Sequence, residues 1–408
     1  MNKNPTTTIF HMKNSNVRFT TIRGGLCCNL SEIDFNSEIE EIPVDKEIRQ
    51  LLCVGNSKER AVKIQFTLKE QNEKFRLRMN PEIVTLKRGY ACEVEILLLI
   101  RCTLKIKSEV LIVSKNLQSN LDIFNSIRVK AKSEISTKLD PDEITLENEL
   151  GSGSFGVVYK GKFRGNVVAV KKMRRIISDD FDQMKEFMKE VNMLAKFRSE
   201  YIVHFYGAVF IPNKICVVTE FAAYGSLFGV IKREEKIELK VLIRMLLNAA
   251  RGLEYLHLNG ILHRDIKPDN ILIFSFNVNE KANAKLTDFG SARNVNMMMT
   301  NMTFTNGIGT PAYMAPEIFS KDKYKMPADI YSFGMTMYEC LNGKFAYQSD
   351  TFKYPWNVVN FVTKGNRMQK PDTIGDKEFE IIKMCWKQKA EERIKVEDLV
   401  ERLENLFV

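Results

Sequence analysis

The stretch His263-Arg-Asp-Ile-Lys-Pro-Asp-Asn270 is the most informative part of this chain of 408 residues. It places a carboxylate, Asp265, and a carboxamide, Asn270, five residues apart with a cation, Lys267, between them. Oxygen ligands of this kind suit Mg²⁺, and a lysine can neutralise the charge of a phosphate. The stretch therefore predicts a loop that brings a hydroxyl group to a metal-bound phosphate, and a polar loop of caps and turns is the alternative.

A glycine-rich segment, Gly151-Ser-Gly-Ser-Phe-Gly156, lies upstream between strand-like runs at residues 144–150 and 157–163. Glycines have no β-carbon, so the backbone N–H groups of such a turn can lie close to phosphates. A dinucleotide-binding loop has the same glycine spacing, but it would open a helix, which excludes it here. A plain hairpin remains the alternative for this segment taken alone.

A third segment, Asp288-Phe-Gly290, follows a strand-like run at residues 284–287 and begins 18 residues after Asn270. The tripeptide is common, so its significance comes from its position after residues 263–270, which we call the polar loop. Residues 274–283 are predicted to form an extended surface turn outside the site.

The three segments together resemble the catalytic core of the eukaryotic protein kinases. The resemblance implies ATP and Mg²⁺ as cofactors, with Asn270 and Asp288 as metal ligands. It also implies that Asp265 accepts or orients the proton of the substrate hydroxyl, and that Lys267 neutralises the moving γ-phosphoryl group. Catalysis of this kind depends on positioning and charge stabilisation, because the transferred group needs little covalent chemistry from the protein.

The segment Val168-Ala-Val-Lys171 ends an apolar strand with a lysine, and a helix with an apolar face follows it. In kinases such a lysine holds the α- and β-phosphates and is oriented by a glutamate. Glu190 is preferred for that role because Leu194, four residues later, continues the inward stripe of the helix. Glu186, one turn earlier, is the competing partner or a solvated residue.

The resemblance further implies an adenine site with Leu150, Val158 and Ala169 above the base and Leu272 below it. The complete set of predicted nucleotide-binding residues is Leu150, Gly151, Ser152, Gly153, Ser154, Phe155, Gly156, Val158, Ala169, Lys171, Thr219, Glu220, Ala222 and Leu272.

The segment Gly309-Thr-Pro-Ala-Tyr-Met-Ala-Pro-Glu317 resembles the end of a kinase activation segment. Glu317 is expected to pair with Arg393, and Asp329 to cap the backbone of the polar loop. Lys267 and the Thr-Pro pair at residues 310–311 are similar to those of serine/threonine kinases. The sequence of the segment ending at Glu317 resembles the tyrosine-kinase-like group of these kinases. Dual specificity stays open.

Regulation by phosphorylation is expected, because in the family an arginine placed like Arg264 often waits for a phosphate on the activation loop. The candidate acceptors are Thr300, Thr303 and Thr305. Thr310 is interpreted as a structural contact to Asp265.

The N-terminal part has a different period. Residues 39–138 alternate apolar and polar side chains in roughly six short runs, which predicts an all-β sandwich. Their layout resembles the major-sperm-protein type of immunoglobulin-like sandwich, and another sandwich topology is the alternative. A protein partner is expected for this region, with a structural spacer as the alternative. Residues 1–38 have no period and are predicted to be a disordered leader. Residues 140–408 are predicted to form a bilobal α+β kinase domain, with a β-rich small lobe at 140–222 and a helical large lobe at 223–408.

The composition of the chain narrows the classes of protein to which it can belong. The net charge of +10 is spread without a block of like charge, so nucleic-acid binding is not predicted. The eight cysteines show neither a Cys-x-x-Cys pair nor a zinc pattern, which favours reduced thiols. There is no signal-peptide pattern and no apolar run long enough to span a bilayer, so we expect a cytoplasmic protein without a transmembrane segment.

Two rival interpretations make different demands on the sequence. A pseudokinase scaffold would carry a lesion at Lys171, Asp265, Asn270 or Asp288, and all four residues are intact. A small-molecule kinase would lack the segment at residues 310–317, which is present. Protein kinase activity is therefore the favoured prediction.

Overall fold

The computed structural model describes residues 8–69, 72–116, 122–153, 156–173, 181–289, 293–294, 311–319 and 324–407. The chain divides into two compact units. The first contains the described residues of 1–166, 170–179 and 207–217, and the second contains those of 167–169, 180–206 and 218–408.

Two β-sheets dominate the N-terminal part. Their strands are β1 (Ile9–His11), β2 (Thr20–Thr21), β3 (Leu26–Cys28), β4 (Glu32–Asp34), β5 (Glu47–Asn56), β6 (Val62–Leu68), β7 (Phe75–Asn80), β8 (Ile83–Leu86), β9 (Tyr90–Ile100), β10 (Lys105–Asn116) and β11 (Asp122–Lys132). One sheet has the order β1-β9-β5-β3-β2, with β7 paired to β9, and the other has the order β4-β11-β10-β6-β8. We call residues 8–132 the two-sheet region.

The core of the two-sheet region follows from alternation along the strands. In β9, Val94, Ile96 and Leu98 are fully buried, while Glu95 and Leu97 between them are half-buried. In β6, Val62 and Ile64 are buried and alternate with exposed polar residues. Buried residues from both sheets form one hydrophobic cluster. Side chains of one strand face must leave water together, and this fixes the register of each strand.

The prediction of a disordered leader at residues 1–38 is wrong for residues 8–38, and residues 1–7 lie outside the described ranges. Strands β1 to β4 pair with longer strands, and Leu26, Ile33 and Phe35 are at most 2% exposed. These strands have only two or three residues, which is too short for alternation to be visible in the sequence.

A third sheet precedes the helical part. It contains β12 (Ile144–Gly153), β13 (Gly156–Phe163), β14 (Asn166–Met173), β15 (Phe205–Val209) and β16 (Cys216–Glu220), in the order β12-β13-β14-β16-β15. The first compact unit contains parts of this sheet as well as the two-sheet region. This division differs from the predicted domain boundary between residues 138 and 140, because the connecting residues are hydrogen-bonded to both regions.

The helices are mostly C-terminal. The helices in the described ranges are α1 (Phe181–Leu194), α2 (Leu227–Lys232), α3 (Leu239–Leu258), α4 (Pro316–Phe319), α5 (Met326–Asn342), α6 (Pro355–Thr363), α7 (Asp376–Cys385) and α8 (Val396–Phe407). The remaining short strands are β17 (Ile261–Leu262), β18 (Ile271–Ile273), β19 (Ala284–Leu286) and β20 (Arg293–Asn294). Throughout the described ranges, we find no helix that is both long and apolar enough to cross a membrane.

Candidate active site

One buried carboxylate holds the polar loop at residues 263–270. Asp329, on α5, is fully buried and accepts hydrogen bonds from the backbone N–H groups of His263 at 3.0 Å and Arg264 at 2.8 Å. The side chains of His257, at 3.0 Å, and Tyr324, at 2.8 Å, also donate to it. The predicted cap of Asp329 on the loop backbone is therefore present, and four donors share it.

These donors determine the charge of Asp329. Burial alone would raise the pKa of its carboxyl group, but His257, His263 and the Arg264 N–H outweigh burial and bring the pKa below its ordinary value. The carboxylate thus stays ionised. Arg264 has a φ of 71°, in the left-handed region that non-glycine residues rarely adopt, and the bond from its N–H to Asp329 compensates this strain.

Three of the predicted catalytic and metal-binding side chains meet inside this loop. The Nζ atom of Lys267 lies 2.7 Å from the Oδ2 atom of Asp265. The Nδ2 atom of Asn270 donates to the same Oδ2 atom at 3.0 Å and to the backbone oxygen of Asp265 at 2.7 Å. The loop therefore presents a carboxylate, an ammonium group and an amide at one place, and the amide nitrogen fixes the orientation of Asn270.

Asp288 is tied to the same loop through its neighbours. Strands β18 and β19 pair antiparallel, and the Thr287 N–H donates to the Asn270 carbonyl at 2.9 Å. The Nε2 atom of His263 donates to the Thr287 carbonyl at 3.0 Å, consistent with a structural role for this histidine. Asp288 then adopts a φ of 61°, and the next residue, Phe289, is buried with its ring 4.8 Å from that of Phe197.

An ion pair at the end of β16 was not anticipated from the sequence. Glu220 accepts from the Nζ atom of Lys285 with both oxygens, at 2.7 and 2.8 Å, and the two side chains are 20% and 17% exposed. The backbone N–H of His204 also donates to Glu220, at 2.6 Å. Lys285 lies on β19 directly opposite Leu272, so the pair connects two segments of the predicted adenine site. The sequence feature that could have indicated this ion pair was Lys285 itself, a lysine within a short apolar strand.

The glycine-rich segment is a hairpin of the first compact unit. Gly153 is paired with Gly156 across β12 and β13, and Ser154 and Phe155 lie outside the described residues. A β-carbon on Gly156 would lie 2.3 Å from the Lys172 carbonyl oxygen, so only glycine fits this approach of two strands. In this unit Lys171 lies on β14, Leu150 and Val158 on the hairpin strands, and Gly151 is paired with Val158.

The predicted contact at the end of the activation segment is also present. Arg393 donates to both oxygens of Glu317, at 2.6 and 2.7 Å, and its side chain is fully buried. Nearby, the Tyr313 hydroxyl donates to Glu339 at 2.6 Å, a contact that the sequence did not suggest. Burial raises the pKa of Glu339, although this donor and the Ala346 N–H partly offset the effect.

The remaining predicted residues divide by location. Glu190 lies on α1, in the second unit. The same unit contains four residues of the predicted adenine site: Ala169, Thr219, Ala222 and Leu272. Lys171 and the glycine hairpin belong to the first unit. Pairing of Lys171 with Glu190 thus stays a prediction. The Glu186 side chain, Gly290 and the threonines of the activation segment, Thr300, Thr303, Thr305 and Thr310, lie outside the described residues.

The donor set of the second unit fits a Mg²⁺ ion carried by a nucleotide. Asn270 has its amide nitrogen bound to Asp265, which leaves its oxygen as the atom available for a cation, and Asp288 adds a carboxylate. Among the described residues, no group of three or more His, Cys, Asp and Glu side chains could hold a metal on its own. Two protein oxygens plus phosphate oxygens and water are the usual surroundings of Mg²⁺.

Comparison with known families gives a match over the same part of the chain. Residues 144–403 match the sequence profile of the family described as "Protein tyrosine and serine/threonine kinase". This range contains the glycine hairpin, the polar loop and the segment that ends at Glu317.

Individual relatives support the same assignment. The probable serine/threonine-protein kinase gdt4 of Dictyostelium discoideum is 30% identical over 368 residues, covering 89% of this chain and 22% of its own length. The probable serine/threonine-protein kinase gdt2 of that organism is 30% identical over 79% of this chain and 19% of its own length. The RGS domain-containing serine/threonine-protein kinase A of Dictyostelium discoideum is 32% identical, over 68% of this chain and 24% of that kinase's own length. The present chain thus spans about a fifth to a quarter of the length of these relatives. With a family match over more than half of its residues, the chain belongs to the protein tyrosine and serine/threonine kinase family.

Proposed function

We propose that this protein is an ATP-dependent serine/threonine kinase, which transfers the γ-phosphoryl group of Mg-ATP to hydroxyl groups of proteins. The observation that carries the proposal is the convergence of Asp265, Lys267 and Asn270 in one loop held by the buried Asp329. An arrangement of carboxylate, cation and amide fixed by backbone bonds suits transfer of a charged group, for which positioning contributes most of the rate.

Each side chain has a distinct task in this proposal. Asp265 accepts a hydrogen bond from the substrate hydroxyl and takes its proton as the oxygen bonds to the γ-phosphorus and the bond from that phosphorus to ADP breaks. Lys267, 2.7 Å from Asp265, neutralises charge on the transferred group. Asn270 and Asp288 would hold Mg²⁺, which when bound neutralises the phosphates of ATP. Lys171, oriented by Glu190, would hold the α- and β-phosphates.

Preference for serine and threonine is supported by the names of the relatives and by Lys267, which resembles serine/threonine kinases of the tyrosine-kinase-like group. Dual specificity is the alternative that a substrate test must decide. Control by phosphorylation of Thr300, Thr303 or Thr305 belongs to the proposal, as does a cytoplasmic location. Eight free cysteines, all buried, support a reducing compartment.

The two-sheet region completes the proposed architecture as an immunoglobulin-like β-sandwich of the major-sperm-protein type. Support comes from two sheets that contribute to one hydrophobic cluster. We assign it a protein-binding role.

The experiment is phosphotransfer by the purified chain from Mg-ATP to a generic protein substrate, followed by phosphoamino acid analysis. We expect phosphoserine and phosphothreonine from the wild type, and a loss of about 100-fold or more in Asp265→Asn, because the proton acceptor is removed. Asp372→Asn, which changes an exposed acid away from the loop, should keep full activity. An inactive wild-type chain would favour the pseudokinase scaffold, and substantial phosphotyrosine would favour dual specificity.

A further inference from the structure

We propose that the partner of the two-sheet region is the sheet β12-β13-β14-β16-β15 of the same chain, here called the kinase sheet, that residues 136–139 join the two as a shared segment, and that this connection tunes nucleotide binding. We call residues 136–139, in which Lys138 forms an isolated β-bridge, the junction strand, and residues 140–143 the junction turn. The first part of the proposal concerns docking, and the second rests on the proposed function.

The junction strand is hydrogen-bonded on both edges. Toward the two-sheet region, the Ser136 N–H donates to the Oγ1 atom of Thr103 at 2.9 Å, and the Lys138 carbonyl accepts from the Thr103 N–H at 2.9 Å. Toward β15, the Thr137 carbonyl accepts from the Ala208 N–H at 2.8 Å, and the Leu139 N–H donates to the Ala208 carbonyl at 2.9 Å. Successive residues of an extended chain face opposite edges, so one short segment binds both regions at once.

The docked edge belongs to the kinase sheet. Strand β15 ends the strand order of that sheet, and Lys138 forms a parallel bridge with Ala208. An open sheet edge is a natural site for strand addition. The fit is close, because a β-carbon on Gly207 would lie 2.4 Å from the Thr137 oxygen and 2.6 Å from the Leu139 side chain.

Charged side chains fix the junction turn from both directions. Lys74 of the two-sheet region pairs with Asp140 at 2.7 Å and also with Asp142, and its side chain is only 17% exposed. From the kinase sheet, Arg164 donates twice to Glu143, at 2.9 and 2.7 Å. Asp45 of the two-sheet region pairs with Lys138 of the junction strand. A flexible tether between independent domains would need none of these contacts.

Strand β15 links the junction strand to His204 along the chain. It is bonded to the junction strand at Ala208, and just before its first residue His204 is bonded to Glu220 through both its N–H and its carbonyl, at 2.6 and 3.0 Å. The proposed coupling runs along the chain from Ala208 to His204, the residue that holds Glu220. The match to gdt4 covers 89% of this chain, more than residues 144–408 alone could supply, so similarity extends into the region that docks here.

Cys102 reports on this junction without any need for kinase activity. Its thiol is 2% exposed, and burial, reinforced by the charge of Asp140, raises its pKa to about 12. Opening the junction would expose the thiol and return its pKa toward the ordinary range, which increases the reactive thiolate. Cys340 and Cys385, buried in the second unit, serve as internal controls for its folding.

The experiment uses the full chain with the double substitution Lys74→Met and Asp45→Asn. Asparagine tolerates the left-handed φ of 62° at position 45, so only charge is lost there. The control is Lys132→Met, which breaks a surface pair with Glu41 on the same region. Iodoacetamide labelling followed by mass spectrometry should show Cys102 reacting about tenfold or more faster in the double variant, with Cys340 and Cys385 unchanged, and no acceleration in the control.

The second measurement is the dissociation constant of a fluorescent ATP analogue, which should change about threefold or more in the double variant only. Unchanged labelling of Cys102 would overturn the docking, and faster labelling with unaltered nucleotide affinity would overturn the coupling. If Cys340 and Cys385 also become reactive, the single Asp45→Asn variant decides in its place by the same criteria. A wild-type chain that binds the analogue but transfers no phosphate would contradict the proposed function while the docking result stands.

Discussion

The polar loop and the junction strand are both short segments outside the regular strands, yet they are held in opposite ways. The polar loop depends on one carboxylate, Asp329, which is fully buried and accepts four hydrogen bonds. The junction strand depends on many bonds, through Thr103, Ala208 and the exposed Asp45. A buried anchor enforces one geometry, because an unsatisfied buried group is costly, whereas distributed contacts can be lost one at a time.

The comparison predicts its largest effect at Asp329. In Asp329→Asn the backbone N–H groups of His263 and Arg264 lose their charged acceptor, and one of them meets an amide nitrogen instead of an oxygen. We expect kcat to fall about 100-fold or more and unfolding to become easier by about 3 kcal/mol, with the KM for ATP nearly unchanged. Steady-state kinetics and urea unfolding measure these quantities.

Asp372→Asn is the control for Asp329→Asn, because it removes an exposed carboxylate from the same unit. A kcat within fivefold of the wild type would mean that the loop keeps its shape without the buried charge, and the contrast between the two regions would fail.

A smaller effect is expected at Lys285. Lys285→Met removes one partner of Glu220 from a pair whose side chains are largely buried, while the His204 N–H still donates to Glu220. We expect the KM for ATP to rise about three- to tenfold with a lesser change in kcat, since the pair positions the predicted adenine site. ATP titrations with the purified variant give both constants.

Lys281→Met offers a matched comparison for Lys285→Met. Lys281 pairs with Glu200 at the same 2.7 Å distance, but the two side chains are 77% and 39% exposed. Exposed pairs contribute little, so this variant should behave as the wild type. Equal changes in both variants would show that burial does not decide the effect.

These predictions also show what could be inferred from the sequence. The polar loop was identified because its chemistry depends on residue types at short spacing, and the helix at Leu239–Leu258 follows directly from its apolar period. Lys285 and Tyr324 were missed, because their partners Glu220 and Asp329 are chosen by the folded chain and not by a local pattern.

The prediction for residues 8–38 in the N-terminal part was wrong for a different reason. Strands β1 to β4 have two or three residues each and gain their stability from pairing with longer strands, so no alternation marks them. The junction strand has the same property: Ser136 and Leu139 are hydrogen-bonded to Thr103 and Ala208, which come from distant parts of the chain. The local sequence feature that could have indicated the junction strand was Gly207, but a single glycine can have many explanations.

The acid dependence of stability sharpens the role of the buried anchor. Because the folded-state pKa of Asp329 lies below the ordinary value of 3.8, its ionised form stabilises the fold above that pH. The contribution is lost as the pH falls through the folded-state pKa. The difference in unfolding free energy between wild type and Asp329→Asn should therefore shrink as urea titrations move from pH 6 toward pH 3. A difference that grows over this interval would mean that the carboxyl group is protonated in the fold.

The smallest effect is expected at Thr103, where the contrast between the two regions is most exposed to test. Thr103→Val keeps the shape of the side chain and removes the hydroxyl that accepts from the Ser136 N–H and donates weakly, at 3.4 Å, to Ser136, while the backbone bond from Thr103 to Lys138 remains. We expect a loss of about 1 kcal/mol in the unfolding free energy and faster amide exchange at Ser136, with Ala208 still protected. Hydrogen exchange with mass spectrometry separates the two edges of the junction strand. If Ala208 loses protection together with Ser136, the strand is released as a whole, and the junction is then held as cooperatively as the polar loop.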